Sequence, residues 1–137
     1  MFFECTKRIR FSHCDPAGII FYPRYIELFH EVVEDWFAEG IGVDFCTLRE
    51  TWCLGVPAVR LELEFVVPSR YGELLSFRLE VESIGNSSMN LLIGAYAADE
   101  LRARAVLTLV FTSMDDFRAV PIDDAWRKRL QPFLIRT

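Results

Sequence analysis

The spacing of the apolar residues changes near Val56, and this change restricts the possible folds more than any other feature of the sequence. Before Val56, apolar residues recur every three or four positions between Pro23 and Gly40, which predicts one long amphipathic helix. The apolar face of this helix consists of Tyr25, Leu28, Phe29, Val32, Val33 and Trp36. After Val56, apolar and polar residues alternate, which predicts half-buried β-strands.

The predicted elements follow one another in a simple order. A short strand over residues 5–13 ends at the Asp15-Pro16-Ala17-Gly18 turn, and the long helix and a connector with a short helix over residues 44–50 come next. Four strands follow, centred on residues 61–65, 75–82, 89–98 and 102–113. A last short helix is predicted over residues 122–130. Because short turns join consecutive strands, we expect an antiparallel meander with the helix packed on one face, an α+β fold.

Composition argues against several classes of function. The chain has 137 residues, of which 52% are hydrophobic, so we expect a single folded domain over residues 1–137. The formal charge is −5 and no run of basic residues occurs, which argues against a nucleic-acid partner. No apolar stretch is long enough to cross a bilayer, and the first residues lack a secretory signal. We therefore expect a cytoplasmic protein with no membrane partner.

A single helix leaves part of such a sheet uncovered. At least one edge strand keeps unpaired backbone N–H and C=O groups, and these groups invite pairing with another chain. The apolar composition of the chain adds to the surface that must be covered. We therefore expect a homodimer.

The densest group of reactive side chains is His13-Cys14-Asp15. In an extended segment His13 and Asp15 point to one side and Cys14 to the other, so Cys14 is poorly placed for activation by His13. Two histidines without metal-ligand spacing predict no metal site, and the absence of cofactor motifs predicts no cofactor. The Asp15 carboxylate can face the N–H groups at the start of the helix, or it can simply initiate an Asp-Pro turn. The residue pattern leaves both interpretations of Asp15 open.

Residues 11–25 read Phe-Ser-His-Cys-Asp-Pro-Ala-Gly-Ile-Ile-Phe-Tyr-Pro-Arg-Tyr. This segment resembles the opening motif of the 4-hydroxybenzoyl-CoA thioesterase family of hotdog-fold enzymes. Weaker similarity continues through Gly55-Val-Pro-Ala-Val, Phe65-Val-Val-Pro and Tyr71-Gly-Glu. The resemblance implies a hotdog fold, in which an antiparallel sheet wraps around the long helix. It also implies edge-to-edge homodimers, which in this family often assemble into homotetramers.

The resemblance further implies roles for individual residues. Asp15 would attack the thioester or activate water, and the backbone N–H of Tyr22 would polarise the thioester carbonyl. Gly18 and Phe21 of the motif, with His30 on the helix, would bind the substrate. The implied function is an acyl-CoA thioesterase. The alternatives are a non-catalytic acyl-CoA-binding protein and a dehydratase of the same fold, in which His30 would be the catalytic histidine.

Two departures from the family pattern concern the substrate. His30 stands where the family's aromatic-substrate member has a carboxylate for the para-hydroxyl group, which argues against 4-hydroxybenzoyl itself. We therefore expect a 4-hydroxybenzoyl- or benzoyl-like aromatic group or a medium acyl group. Residues 83–88 contain no cation where that member has a basic cluster for the CoA phosphates. CoA would then be held by other arginines, such as Arg60, Arg70 or Arg104, or the acyl carrier would be a protein.

Overall fold

The helices and strands of the chain follow one another in the predicted order. A computed structural model describes residues 1–135, and the last two residues of the predicted domain 1–137 lie outside the described residues. The helices are α1 (Tyr22–Asp35), α2 (Phe45–Trp52) and α3 (Asp124–Leu130). The strands are β1 (Phe3–Arg8), β2 (Leu54–Gly55), β3 (Ala58–Phe65), β4 (Leu74–Ile84), β5 (Ser88–Ala97), β6 (Glu100–Val110) and β7 (Thr112–Ser113).

The main sheet is antiparallel throughout and has the strand order β1-β4-β5-β6-β3, while β2 pairs with β7 in a small separate sheet. Alternate residues of the central strands are buried, as the period of two predicts. Helix α1 lies against this buried face, where the Phe29 ring meets the Phe77 ring edge-on with 5.5 Å between centroids. The predicted α+β hotdog architecture, with an antiparallel sheet around one long helix, is confirmed.

The strand order differs from the predicted meander at β3. Strands β4, β5 and β6 follow one another as expected, but β3 pairs with β6, and β1 takes the place beside β4. The β3–β4 connection cannot close a hairpin because it is bonded to the segment before α1. The carbonyl of Ser69 in this connection accepts a hydrogen bond of 2.9 Å from the N–H of Ile20.

Two element ends also differ from the sequence prediction. Strand β1 stops at Arg8, not at residue 13, because its partner β4 begins at Leu74, directly opposite Arg8. The chain then forms a 3₁₀ turn over Phe11–His13. Helix α1 continues as a π-helical turn over Trp36–Ile41 and ends where Gly42 adopts the left-handed conformation with φ of +88°. None of the helices within residues 1–135 is long and apolar enough to span a membrane.

Strand β3 is an edge strand that keeps apolar side chains exposed. It pairs with β6 on one side only, and most of its residues are exposed. Val59 is 63% exposed and Phe65 is 49% exposed. An edge with exposed apolar side chains and unpaired backbone groups is a surface suited to pairing with another chain.

The loop between β3 and β4 is fixed to the sheet by Arg102. The Arg102 guanidinium donates two parallel hydrogen bonds of 2.9 and 2.8 Å to the Glu73 carboxylate and one of 3.2 Å to the carbonyl of Pro68. In the same loop, the Ser69 hydroxyl accepts a buried hydrogen bond of 2.7 Å from the Tyr25 hydroxyl on α1. Arg102 therefore fixes the loop that contacts the first turn of α1 through the bond between Ser69 and Tyr25.

We expect Glu73→Gln to lower the free energy of unfolding by about 1 to 2 kcal/mol at pH 7, because a partly buried charged pair is lost. The hydrogen bonds from Arg102 lower the pKa of Glu73 in the folded protein. Its ionised carboxylate therefore stabilises the fold above the unfolded-chain pKa of about 4.3, and this contribution is lost as the pH falls through the lower folded pKa.

Urea denaturation at pH 7 and at about pH 3 measures this difference, which should shrink at the lower pH. The matched control is Glu64→Gln, which breaks an exposed pair with Arg104 and should change stability little. An equal loss in the control, or a difference that does not depend on pH, contradicts the assignment.

Candidate active site

The Asp15 segment folds into a tight turn before α1. The N–H of Gly18 donates to the carbonyl of Asp15 and the N–H of Asp15 donates to the carbonyl of Ile19, both at 2.9 Å. Gly18 adopts φ of +80°, and its Cβ position is open space. A residue with a side chain would be strained here by its backbone conformation alone. Gly18 therefore allows the chain to reverse directly after Asp15.

The Asp15 carboxylate is only partly used by this turn. Its Oδ1 atom accepts a hydrogen bond of 2.8 Å from the N–H of Ala17, as in an Asx turn. No other donor among residues 1–135 bonds to this side chain, which is half-buried. Asp15 therefore caps its own turn, as one of the two sequence interpretations states, and its Oδ2 atom accepts no hydrogen bond from residues 1–135.

Backbone hydrogen bonds hold the Asp15 turn beside the start of α1. Cys14 and Ile20 form an antiparallel bridge across the turn. The N–H of Phe21 donates to the carbonyl of His13 at 2.9 Å. These bonds bring the Asp15 carboxylate and the first residues of the helix to the same end of the molecule.

The first turn of α1 presents the N–H of Tyr22 as a donor. Tyr22 is the first helical residue, and the preceding Phe21 provides no side-chain cap. The next residue, Pro23, has no N–H, and the N–H of Arg24 is used by the carbonyl of Phe21 at 2.8 Å. Within the described chain, the N–H of Tyr22 has no acceptor. An unpaired N–H at a helix N-terminus favours negative charge on a bound oxygen atom.

Cys14 is poorly suited to act as a nucleophile. Burial, with a smaller effect of the Asp15 charge, raises the pKa of the Cys14 thiol. Its Sγ atom lies 3.6 Å from the carbonyl of Arg10. The neighbouring His13 accepts a hydrogen bond of 2.9 Å from the N–H of Arg10 through Nδ1, so that this nitrogen is already used. The geometry agrees with the sequence interpretation that His13 and Cys14 do not form a nucleophilic pair.

A cavity of about 700 Å³ lies between α1, α2 and the strands β3 and β6. Its volume is in the range of small-molecule binding sites. Most of its lining is apolar, and the apolar side chains include Ile26, Phe29, Val33, Phe45, Leu48, Leu61, Leu107, Leu109 and Met114. Charged or titratable side chains contribute at Glu27, His30, Glu31 and Arg49.

The predicted substrate-binding residues occupy different places around this cavity. His30 lines it, although the His30 side chain is 67% exposed and its Nε2 atom lies 3.9 Å from Glu34 Oε1. Phe21 does not line it and is exposed at the cap of α1, where its ring lies edge-on to Tyr22 with 5.5 Å between centroids. Gly18 lies in the turn, where its carbonyl accepts a hydrogen bond of 3.1 Å from the N–H of Tyr71.

Asp15 and Tyr22 do not line the cavity, but Tyr22 lies close to one of its lining residues. Ile26, which lines the cavity, is one helical turn after Tyr22 and therefore on the same face of α1. The Tyr22 ring also contacts Phe65 at the end of β3, with 6.5 Å between ring centroids. In the single chain, the turn and the cavity are therefore neighbouring parts of one surface.

Sequence reasoning missed the residues that hold this surface in place. Ser69 and Arg102 fix the loop behind the turn, and Met114 closes part of the cavity. Met114 also lies so close to Gly55 that a Cβ atom there would be 2.8 Å from Met114 Cε. These contacts join segments far apart in the chain, so local spacing carried no signal for them. The weaker family similarity at Phe65-Val-Val-Pro lies at the start of the loop between β3 and β4, but it does not include Ser69.

The match to known proteins covers most of the chain. Residues 9–130 match the family model of the thioesterase-like superfamily. The chain belongs to this superfamily. The resemblance seen in residues 11–25 is therefore confirmed, and the predicted class of thioester hydrolase agrees with the names of relatives in the superfamily.

Two curated proteins to which the chain is similar illustrate the range of relatives. A 1,4-dihydroxy-2-naphthoyl-CoA hydrolase from Acaryochloris marina is 23% identical over 86 residues, covering 63% of this chain and 62% of that protein. A 4-hydroxybenzoyl-CoA thioesterase from Pseudomonas sp. strain CBS-3 is 31% identical over 71 residues, covering 51% of this chain and 50% of that protein. Each match spans less than two thirds of the relative's length.

The likeness to solved structures extends over nearly the whole fold. A thioesterase-superfamily structure from Jannaschia sp. CCS1 superposes with a TM-score of 0.92 at 24% identity, covering 98% of this chain and 94% of that chain. This likeness supports the hotdog architecture of the superfamily.

Proposed function

We propose that the protein hydrolyses an acyl-CoA thioester, with Asp15 as the nucleophile or general base and the N–H of Tyr22 as the donor to the thioester oxygen. The observation that carries this proposal is that, within residues 1–135, a carboxylate oxygen without a donor and a helix N–H without an acceptor lie on either side of the segment closed by the Cys14–Ile20 bridge. A donor of this kind stabilises the oxyanion of a tetrahedral intermediate. A thiolate is a good leaving group, so these two groups suffice for the reaction.

Both routes open to Asp15 are chemically complete. As a nucleophile, Asp15 Oδ2 attacks the carbonyl carbon, the C–S bond breaks, and water then cleaves the resulting anhydride and restores the carboxylate. As a general base, Asp15 removes a proton from the attacking water and returns it to the departing thiolate. In both routes, negative charge develops on the carbonyl oxygen beside the N–H of Tyr22.

The apolar cavity along α1 is the proposed site for the acyl group. Its lining begins on α1 at Ile26, one helical turn from Tyr22, and is mainly aliphatic and aromatic. His30 lines this cavity, and an imidazole lacks the negative charge with which a carboxylate stabilises a phenol. We propose an aromatic acyl group, benzoyl-like or 4-hydroxybenzoyl-like, or a medium acyl chain.

The geometry favours hydrolysis over dehydration. His30 follows Tyr22 by eight residues, which is about 12 Å along an α-helix. A dehydratase base must act on carbon atoms next to the carbonyl, and His30 is too far from the N–H of Tyr22 for that role. A non-catalytic acyl-CoA-binding protein is the alternative function, which the kinetic and binding measurements on Asp15→Asn distinguish from the enzyme.

The second chain of a homodimer is the proposed wall that completes the site. Asp15 does not line the acyl cavity of the single chain, and the edge strand β3 exposes Val59 and Phe65. Pairing two copies through β3 would cover these side chains and place a second chain beside the turn. Two such dimers could combine into the homotetramer that the family resemblance implies.

Asp15→Asn should reduce turnover of the best thioester by about 10²- to 10⁴-fold, because asparagine is neither a base nor a nucleophile. Asparagine keeps the acceptor for the N–H of Ala17, so folding and CoA-thioester binding should be retained. Steady-state kinetics and calorimetric binding measure the two effects separately.

The matched control for this substitution is Asp116→Asn. Asp116 Oδ1 accepts the N–H of Arg118 at 3.1 Å, the same type of turn bond that Asp15 makes with Ala17. The control should keep wild-type turnover. If Asp15→Asn kept most of the wild-type turnover, the catalytic assignment of Asp15 would be wrong. If the wild-type protein bound CoA thioesters but hydrolysed none of them, it would be a binding protein.

His30→Ala should change the ranking of benzoyl-, hydroxybenzoyl- and aliphatic-CoA thioesters by about 1 kcal/mol, or roughly fivefold in relative kcat/KM. The reason is that His30 is one of the few polar side chains in a cavity lining that is mainly apolar. The control is Glu34→Ala, which removes the neighbour of His30 without touching the cavity lining. An equal change for all three thioesters would show that specificity is set elsewhere.

Light scattering should give two or four times the chain mass of 15.9 kDa at micromolar concentration. Val59→Lys places a charge on the β3 edge and should shift the protein toward the monomer, whereas Thr6→Lys on the opposite edge strand should not. A stable wild-type monomer contradicts the proposed completion of the site by a second chain.

A further inference from the structure

A second cavity, of about 630 Å³, lies at the end of β1 beside the Asp15 turn. Its lining residues are Arg8, Ile9, Arg10, Phe11, Ser12, Tyr71 and Gly72. It shares no lining residue with the acyl cavity. The mechanism described above does not use this second cavity.

The two arginines of this cavity form no ion pair with any residue in 1–135. Arg8 donates to the carbonyl of Gly72 at 2.8 Å, which uses one of the five N–H donors of its guanidinium. By contrast, Arg60 and Arg104, two of the arginines that the sequence suggested for CoA, are paired with Glu62 and Glu64. In a chain of charge −5, two unpaired guanidinium groups in one cavity attract an anion.

An exposed aromatic pair stands beside these arginines. Phe11 is 80% exposed and Tyr71 is 60% exposed, and their rings meet edge-on with 5.9 Å between centroids. Both rings line the cavity. A flat exposed ring favours stacking with the base of a nucleotide. Aromatic rings and unpaired arginines together fit a ligand that has both a base and phosphate groups.

Backbone contacts connect this cavity directly to the Asp15 turn. The N–H of Tyr71 donates to the carbonyl of Gly18 at 3.1 Å, and Ile19 forms an antiparallel bridge with Arg70. Ser12, at the cavity wall, precedes Asp15 by three residues. Along the chain, the turn therefore lies between this cavity and the acyl cavity.

We propose that the cavity beside Phe11 and Tyr71 binds the phosphorylated adenine-nucleotide end of CoA, an inference that rests on the proposed thioesterase function. The acyl group would lie in the other cavity, with the thioester at the turn between them. A phosphopantetheine group on a carrier protein has phosphate but no base, so it would leave the aromatic pair unused. The aromatic pair therefore favours CoA over a carrier protein.

The test compares a CoA thioester with the N-acetylcysteamine thioester of the same acyl group, which lacks the nucleotide. Arg10→Gln and Phe11→Ala should each lower the preference for the CoA thioester, measured as the ratio of kcat/KM values, by about tenfold. Arg10→Lys should restore part of it. The matched control is Arg104→Gln on the outer face of the sheet, which should keep the wild-type ratio.

Calorimetric binding of CoA to the same variants separates this inference from the proposed function. If the wild type hydrolyses neither thioester but Arg10→Gln and Phe11→Ala weaken CoA binding about tenfold, the nucleotide site stands and the thioesterase proposal fails. An unchanged ratio and unchanged CoA binding in both variants overturn the nucleotide site. Equal losses on both thioesters also overturn it, because Arg10 and Phe11 would then act on the turn. A wild type that binds no CoA and hydrolyses only carrier-protein thioesters overturns it as well.

Discussion

The burial of one face of α1 against the sheet is the constraint on which the rest of the structure depends. One helix must cover the buried face of the whole five-stranded sheet. Phe29 packs against Phe77 of β4 near the middle of that face. The part of the face beside the edge strand β3 is therefore covered less completely by the helix. Both the acyl cavity and the exposed edge of β3 lie in this part of the sheet. The same packing fixes where α1 begins, and therefore where the N–H of Tyr22 points.

The position of the helix start is secured by polar contacts that the hydrophobic core does not provide. Arg102 holds the loop between β3 and β4, and Ser69 in that loop bonds both the hydroxyl of Tyr25 and the N–H of Ile20. Charge-assisted hydrogen bonds in a partly buried setting are directional, so they fix geometry more tightly than apolar packing does. Arg102 of the sheet therefore stabilises the Asp15 turn indirectly, through the loop between β3 and β4.

Local pattern predicted the elements but not their partners. Every residue of the predicted apolar face of α1 is buried, because helical spacing alone decides which side chains share a face. The placement of β3 beside β6 was not predictable, because a period of two defines a strand and not its neighbour. The Asp15 motif was found from its residues, whereas the cavity that includes Met114 arises from contacts between distant segments.

The most direct test of this account is a crystal structure with an acyl-CoA analogue in which a methylene group replaces the thioester sulfur. The account predicts the ketone oxygen about 3 Å from the Tyr22 nitrogen, Asp15 beside the carbonyl carbon, and the acyl group in the cavity between α1 and β6. A ketone bound away from the N-terminus of α1, with the acyl group outside that cavity, would contradict it.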